Sequence, residues 1–352
     1  IMLLKSLPDL RDKKVQSKLT LCKKPTPSWN SYFSQYNNVL QALINIGFLN
    51  KHTYFREFAM PFLFIFRHTI ELQLKRELDN KGIQIQNRHE LNINSYREFL
   101  PDGFCCNLEV LDIEGDGSCF RYISDKNSRT YFNKEDSLDL FSPIKYYITN
   151  NPKFLKMPKL RFGEEKMKAM CEYPTNICPN IGTLRTQYDT CLSLLVNSIN
   201  DGKVKIDEII IPLYFLLRHC LELGLKSNII LGLSQEASDH KIGKQLSIVL
   251  NAIDTALTEM DKNSLLYEEI LDDKKYISKL VTFVEDKDNS SNVFRYPVKG
   301  ANKPVELKIK DKSFLDSLVM YQECDSFLSS ALQYLKYEGF KLENDEEPTR
   351  SE

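Results

Sequence analysis

The sequence predicts a mostly all-α protein made of two tandem helical-bundle domains related by internal duplication, each with a small β-hairpin. Three observations predict this. First, Pro61-Phe-Leu-Phe-Ile-Phe-Arg-His-Thr-Ile-Glu-Leu-Gln-Leu-Lys75 recurs without a gap as Pro212-Leu-Tyr-Phe-Leu-Leu-Arg-His-Cys-Leu-Glu-Leu-Gly-Leu-Lys226. Self-similarity of this kind sets the architecture before any local reading. Second, each copy is preceded by an amphipathic stretch of matching character, Gln35-Tyr36-Asn37-Asn38-Val39-Leu40 in one and Gln187-Tyr188-Asp189-Thr190-Cys191-Leu192 in the other. Third, a Phe-Arg-Tyr triplet follows each copy, Phe120-Arg121-Tyr122 and Phe294-Arg295-Tyr296. Each triplet leads through a turn (125–128; 299–303) into an extended run (Thr130-Tyr-Phe132; Val305-Glu-Leu-Lys-Ile309), which reads as a hairpin.

The elements divide the chain as follows. Residues 1–27 carry Lys13-Lys14 and Lys23-Lys24 with little periodicity and read as a basic arm. The first domain spans 28–150, with a closing helix over 138–149. The segment 151–178, basic and holding proline and glycine, reads as a linker. The second domain spans 179–342, with further helical periods at 245–260, 265–284 and 314–337. The acidic stretch 343–352 reads as a disordered tail.

Pro61 and Pro212 suit the first helical position, where the missing N–H is no loss. At about 100° per residue, with Arg67 at zero, Glu71 falls near 40°, Lys75 near 80° and His68 near 100°. Four polar groups thus share one stripe of a helix whose other faces are apolar, and the second copy repeats them as Arg218, His219, Glu222 and Lys226. The turns before the stripe are apolar all round, so the helix enters an interior. Arg before Glu at this spacing is the weaker local orientation, so helix support alone does not explain the pair. Buried charges must be paired, whether in a functional cluster or a structural network. Both readings stand.

Lysine plus arginine number 47 against 48 aspartates and glutamates, for a formal net charge of −1, so bulk charge gives no argument for nucleic-acid binding. The nine cysteines form no C-x-x-C pair and no metal-ligand spacing with histidine. Reduced thiols and a cytoplasmic location are the expectation, with no metal and no cofactor. No signal peptide is apparent, since charge follows Met2-Leu-Leu-Lys5 too soon. The longest apolar run, 209–217, falls far short of the ~20 residues that span a bilayer, so no membrane association is expected. Gly-rich phosphate loops, G-x-S-x-G and H-E-x-x-H are all missing.

Glu-Leu-x-Leu-Lys on a core helix, then a histidine, then Phe-Arg-Tyr, resembles the HEPN superfamily. The matching residues are Glu71-Leu72-Gln73-Leu74-Lys75, His89 and Phe120-Arg121-Tyr122, then Glu222-Leu223-Gly224-Leu225-Lys226, His240 and Phe294-Arg295-Tyr296-Pro297. The resemblance implies an all-α bundle that pairs in two-fold fashion. It further implies either a metal-independent ribonuclease of toxin–antitoxin or antiviral defence systems, or an inactive binding module. Active members carry arginine followed four to six residues later by histidine; here Arg67-His68 and Arg218-His219 are adjacent, and that pattern is missing.

Metal-free RNA cleavage needs an acid, a base and cations for the phosphorane charge. The candidates for acid and base are His68, His89, His219 and His240. Those for RNA or phosphate are Arg67, Lys75, Arg121, Tyr122, Arg218, Lys226, Arg295 and Tyr296, with Glu71 and Glu222 orienting them. Arginine forks phosphate and tyrosine stacks on bases, so the same set also fits a nucleotide or RNA end held without cleavage. The third reading is that Arg121 and Arg295 simply pair with Glu71 and Glu222 inside each bundle. The expected partners are RNA or a nucleotide and a protein such as an antitoxin. The two domains pair within the chain as an intramolecular pseudo-dimer with one composite cleft, and a further homodimer stays open. The function expected first is an RNA-directed defence or toxin-type effector; the alternative is a non-catalytic binding or scaffolding module.

Overall fold

The computed structural model describes residues 7–49, 55–83, 117–125, 129–132, 140–150, 164–171, 180–237, 239–288, 291–299 and 303–342. His89, the acidic stretch from 343 and most of the basic segment 151–178 lie outside the described residues.

The described chain is mostly helical. Two long helical hairpins make its centre: α2 (Trp29–Leu49) with α3 (Ala59–Asn80), and α6 (Ile181–Asn200) with α7 (Ile210–Ser227). Before, between and after them come α1 (Lys13–Lys18), α4 (Phe141–Asn150), α5 (Glu164–Cys171), α8 (Ile242–Glu259), α9 (Leu265–Lys287), α10 (Ser313–Glu323) and α11 (Asp325–Tyr337). Helices α3 and α7 are apolar on every face through their first turns, so they fill the core, as a helix without a polar face must. Phe62, Phe64 and Phe66 are at most 1% exposed, each contributing about 1.5–3 kcal/mol by burial.

Each hairpin packs along itself, and α2 and α3 then pack across α6 and α7. Phe64 and Phe215, the matching residues of the two copies, stack on each other at 4.7 Å between ring centroids. The repeat therefore meets itself at this pair. Neither proline occupies the first helical position. Each core helix begins two residues earlier, after a 3-10 turn (Phe55–Phe58; Ile206–Glu208), which makes Pro61 and Pro212 third residues. A proline is still free of cost there, because the first four N–H groups of a helix have no internal partner. The N–H groups just before the prolines are capped across the repeat: Met60 donates to Gln187 Oε1 at 2.9 Å and Ile211 to Gln35 Oε1 at 2.8 Å.

Outside this centre the two halves differ. A π-type turn, Asn228–Gly232, continues α7 and packs on α11, where the Asn228 amide donates to the carbonyls of Phe327 and Leu328. Gly224, where the first copy has Gln73, lets Leu328 approach: a Cβ there would meet that side chain at 3.0 Å. The period over 314–337 resolves into two helices, α10 and α11, that break at Cys324. The expected hairpins are shorter than their sequence patterns. In the second half Val298–Lys299 (β1) pairs antiparallel with Lys303–Pro304 (β2), and 305–309 is not strand. In the first half a single bridge joins Ser124 and Thr130. The described part of the basic arm is not loose. Leu10, Val15, Leu19 and Leu21 are buried, and Leu21 N–H donates to Asp311 at 2.9 Å. Apolar residues at these spacings anchor the segment although its charges dominate the composition. Within 151–178, α5 forms with Cys171 buried. Among the described residues, no helix is long and apolar enough to cross a membrane.

Candidate functional site

The polar stripe of α3 gathers on one carboxylate. Glu71, 1% exposed, takes Lys75 Nζ at 2.7 Å on Oε1, and Arg67 Nη1 at 3.4 Å on Oε2, where His68 Nδ1 also lies at 3.3 Å. On α7, Glu222 takes Arg218 Nη1 at 2.9 Å, Lys226 Nζ at 3.3 Å and His240 Nδ1 at 3.0 Å. Burial opposes both charges, but the cations prevail, Lys75 first at Glu71 and Lys226 first at Glu222, and hold both carboxyls well below the usual range. These are ionised glutamates.

The Phe-Arg-Tyr segments do not complete their own helices; they cross. Tyr296 of the second copy donates its hydroxyl to Glu71 Oε1 of the first at 2.9 Å, and its ring lies under Lys75 Nζ at 4.3 Å. Tyr122 of the first copy lies under Lys226 Nζ of the second at 4.4 Å and packs 4.7 Å from the His240 ring. His68 Nε2 bonds the Arg295 carbonyl at 2.9 Å, and His219 Nε2 bonds the Arg121 carbonyl at 3.1 Å. Tyr36 and Tyr188 likewise donate to the carbonyls of Phe294 and Phe120, at 2.9 and 3.0 Å. This corrects the expectation that Arg121 and Arg295 tie hairpin to helix inside each bundle by pairing with Glu71 and Glu222. The segments dock on the opposite copy, and it is tyrosine, through Tyr296, that reaches a glutamate.

A carbonyl only accepts, so Nε2 carries the proton in both buried histidines, and Nδ1 is left towards the glutamate at 3.3 Å in His68 and 3.8 Å in His219. His68 and His219 are 0% and 1% exposed. Tyr36 meets the His68 ring edge-on and Phe64 stacks on it, as Tyr188 and Phe215 do for His219. Burial, aided by the Arg295 charge at one ring and the Arg121 and Lys226 charges at the other, lowers both to about 4 against the pull of their glutamates. Catalysis by His68 or His219 would need solvent and substrate at a ring that is walled in on both faces. The structure places them as neutral core residues. His240 differs: its side chain is 54% exposed.

Arg67 and Arg218 hold the loops that lead into the Phe-Arg-Tyr segments. Arg218 Nε donates to the Asp288 carbonyl at 3.0 Å and Nη2 to the His240 carbonyl at 2.9 Å. Arg67 lies against Gly117, which has φ +70°, and a Cβ there would meet its guanidinium at 3.0 Å. The matching position in the second copy, Ser291, also has positive φ, at 61°. Both turns enter the left-handed region, and glycine does so at no steric cost.

The structure thus brings together Arg67, His68, Glu71, Lys75, Arg295 and Tyr296 in one cluster, and Arg218, His219, Glu222, Lys226, His240, Arg121 and Tyr122 in the other. Sequence reasoning gave no role to Gln35, Gln187, Tyr36 and Tyr188. Their signal was there, since Gln-Tyr repeats at nearly the same distance before each proline. Among the described residues, no three histidine, cysteine, aspartate or glutamate side chains gather as a metal-binding group. Comparison with known proteins finds no family model, no curated protein and no solved structure that matches this chain.

Proposed function

We propose that the chain is a tandem duplication of two HEPN-like units that acts as a non-catalytic binding or scaffolding module. In this reading the Arg-His-Glu-Lys clusters lock the two halves into an intramolecular pseudo-dimer. The observation that carries it is the placement of His68 and His219: each is buried and bonded to a backbone carbonyl of the opposite copy. A general acid or base must reach the proton that it moves. These two reach only the fold.

A second reading, a metal-independent ribonuclease of an RNA-directed defence or toxin-type effector, is favoured by one observation. His240 is exposed, bonded to Glu222 and close to Lys226 and Tyr122, so an accessible imidazole stands against a buried carboxylate and cation. Incubating purified protein with a mixed RNA pool, with and without chelator, separates the two. The module reading expects intact RNA in every lane. Chelator-resistant cleavage that disappears in His240→Ala and persists in a folded His68→Gln/His219→Gln variant overturns it in favour of the second.

A further inference from the structure

Each buried glutamate already has its own arginine and lysine: Arg67 and Lys75 serve Glu71, and Arg218 and Lys226 serve Glu222. Arg121 and Arg295 are then left over. Both are buried, at 5% and 4% exposed, and among the described residues neither meets a carboxylate within ion-pair distance. Arg121 donates to the Tyr122 hydroxyl at 3.3 Å and the Ser118 hydroxyl at 3.2 Å, and Arg295 donates to the Tyr296 hydroxyl at 3.1 Å. The Nε atom of each is buried without a partner. Their guanidinium carbons lie 5.6 and 5.9 Å from the centroid of one ring, Phe64, which confines both to the place where the two copies meet. The aromatic rings beneath them offset part of the cost of burying charge, but a ring does not neutralise a cation. The same surplus is felt by Lys226: burial first, then the charges of Arg121 and Arg218, depress its ammonium despite Glu222.

We propose that Arg121 and Arg295 form an anion site at the meeting point of the two repeats, which takes a small phosphate-bearing ligand. This rests on the module reading and names its ligand class. Two planar guanidinium forks with unused N–H groups suit a tetrahedral, doubly charged oxyanion better than a single carboxylate. Two tyrosines, Tyr122 and Tyr296, flank the pair, and the Tyr122 ring continues through His240 to solvent. In this proposal the ligand enters past His240 and Tyr122.

The test is thermal unfolding in chloride buffer free of other oxyanions, titrated with inorganic phosphate and, separately, with a nucleoside 5′-monophosphate. A ligand that binds only the folded state raises Tm with concentration. The expected result is a Tm that rises with phosphate well past the level a matched chloride concentration gives, and an Arg121→Met/Arg295→Met variant that loses the rise yet melts no lower than wild type without phosphate. Response to phosphate itself identifies a free oxyanion as sufficient; response to the nucleotide alone identifies the ester. Equal responses in wild type and variant, no response to either ligand, or a variant that melts far lower in phosphate-free buffer each overturn the site. Should the variant not fold, 31P line broadening of phosphate by the wild-type protein decides, and its absence overturns the proposal. RNA cleavage lost in His240→Ala would overturn the module reading while leaving the phosphate response in place, so the two failures are distinguishable.

Discussion

Removing the two buried histidines as titrating groups, in His68→Gln/His219→Gln, changes how stability depends on acid. In the folded protein both rings are held near 4, whereas an unfolded histidine titrates near 6.5. The unfolded chain therefore takes up protons first as pH falls, and stability drops. The contribution is full above about pH 6.5 and is lost progressively towards pH 4. One pKa unit is worth about 1.4 kcal/mol, so from pH 7 to 5 each ring costs about 2 kcal/mol and the pair about 4. That is a large share of the about 5–15 kcal/mol by which a folded domain is typically stable. Glu71 and Glu222 have depressed pKa values too, but their contribution is lost only below about pH 4.5, outside this window. Urea unfolding at half-unit steps from pH 7.5 to 5 reads the difference between wild type and variant, in which every other titrating group cancels. Wild type is expected to lose about 4 kcal/mol more than the variant across pH 7 to 5. A wild type that loses no more stability than the variant over that range would show that Glu71 and Glu222 hold the rings as imidazolium and would refute the neutral assignment.

Two further outcomes follow from the crossed contacts. Gln35→Met and Gln187→Met each leave a buried helix N–H of the opposite copy without its acceptor; each is expected to cost about 1–3 kcal/mol in denaturant unfolding. A cost below half a kilocalorie would show that these caps are dispensable. Tyr296→Phe removes a hydroxyl that donates to an ionised glutamate and is expected to cost about 1.5–3 kcal/mol, whereas Tyr122→Phe removes only an acceptor for Arg121 and is expected to cost about 1 kcal/mol. Equal losses in calorimetric unfolding would contradict the asymmetry of the two clusters.

The strength of the repeat in the sequence came from residues that do two jobs. Arg67, Glu71 and Lys75 are spaced to share one helix face, and Arg218, Glu222 and Lys226 repeat that spacing, so the periodicity of a helix alone placed each trio together. The apolar turns around Phe64 and Phe215 likewise said that the stripe lies inside. Short elements were harder to read. The extended look of 305–309 comes from alternating side chains, but beyond the Val305 N–H, which donates to the Pro297 carbonyl at 2.9 Å, no ladder among the described residues continues β1 and β2 there, because pairing needs a second strand in register. Basic composition hid the apolar anchors Leu10, Val15, Leu19 and Leu21 of the N-terminal segment.

What the sequence by itself determined is the helical class, the recurrence of one core-helix motif and the grouping of charge on one face of it, all of which depend on neighbours within a few turns. What only the tertiary structure decided is which copy each Phe-Arg-Tyr segment serves. That choice sets His68 on Arg295 and His219 on Arg121, closes both histidines off from solvent and, among the described residues, leaves two guanidinium groups without a carboxylate in ion-pair distance. Docking within a copy and docking across copies use the same side chains in the same order along the chain. They differ only in contacts between residues about 100 to 230 positions apart, which local periodicity does not encode.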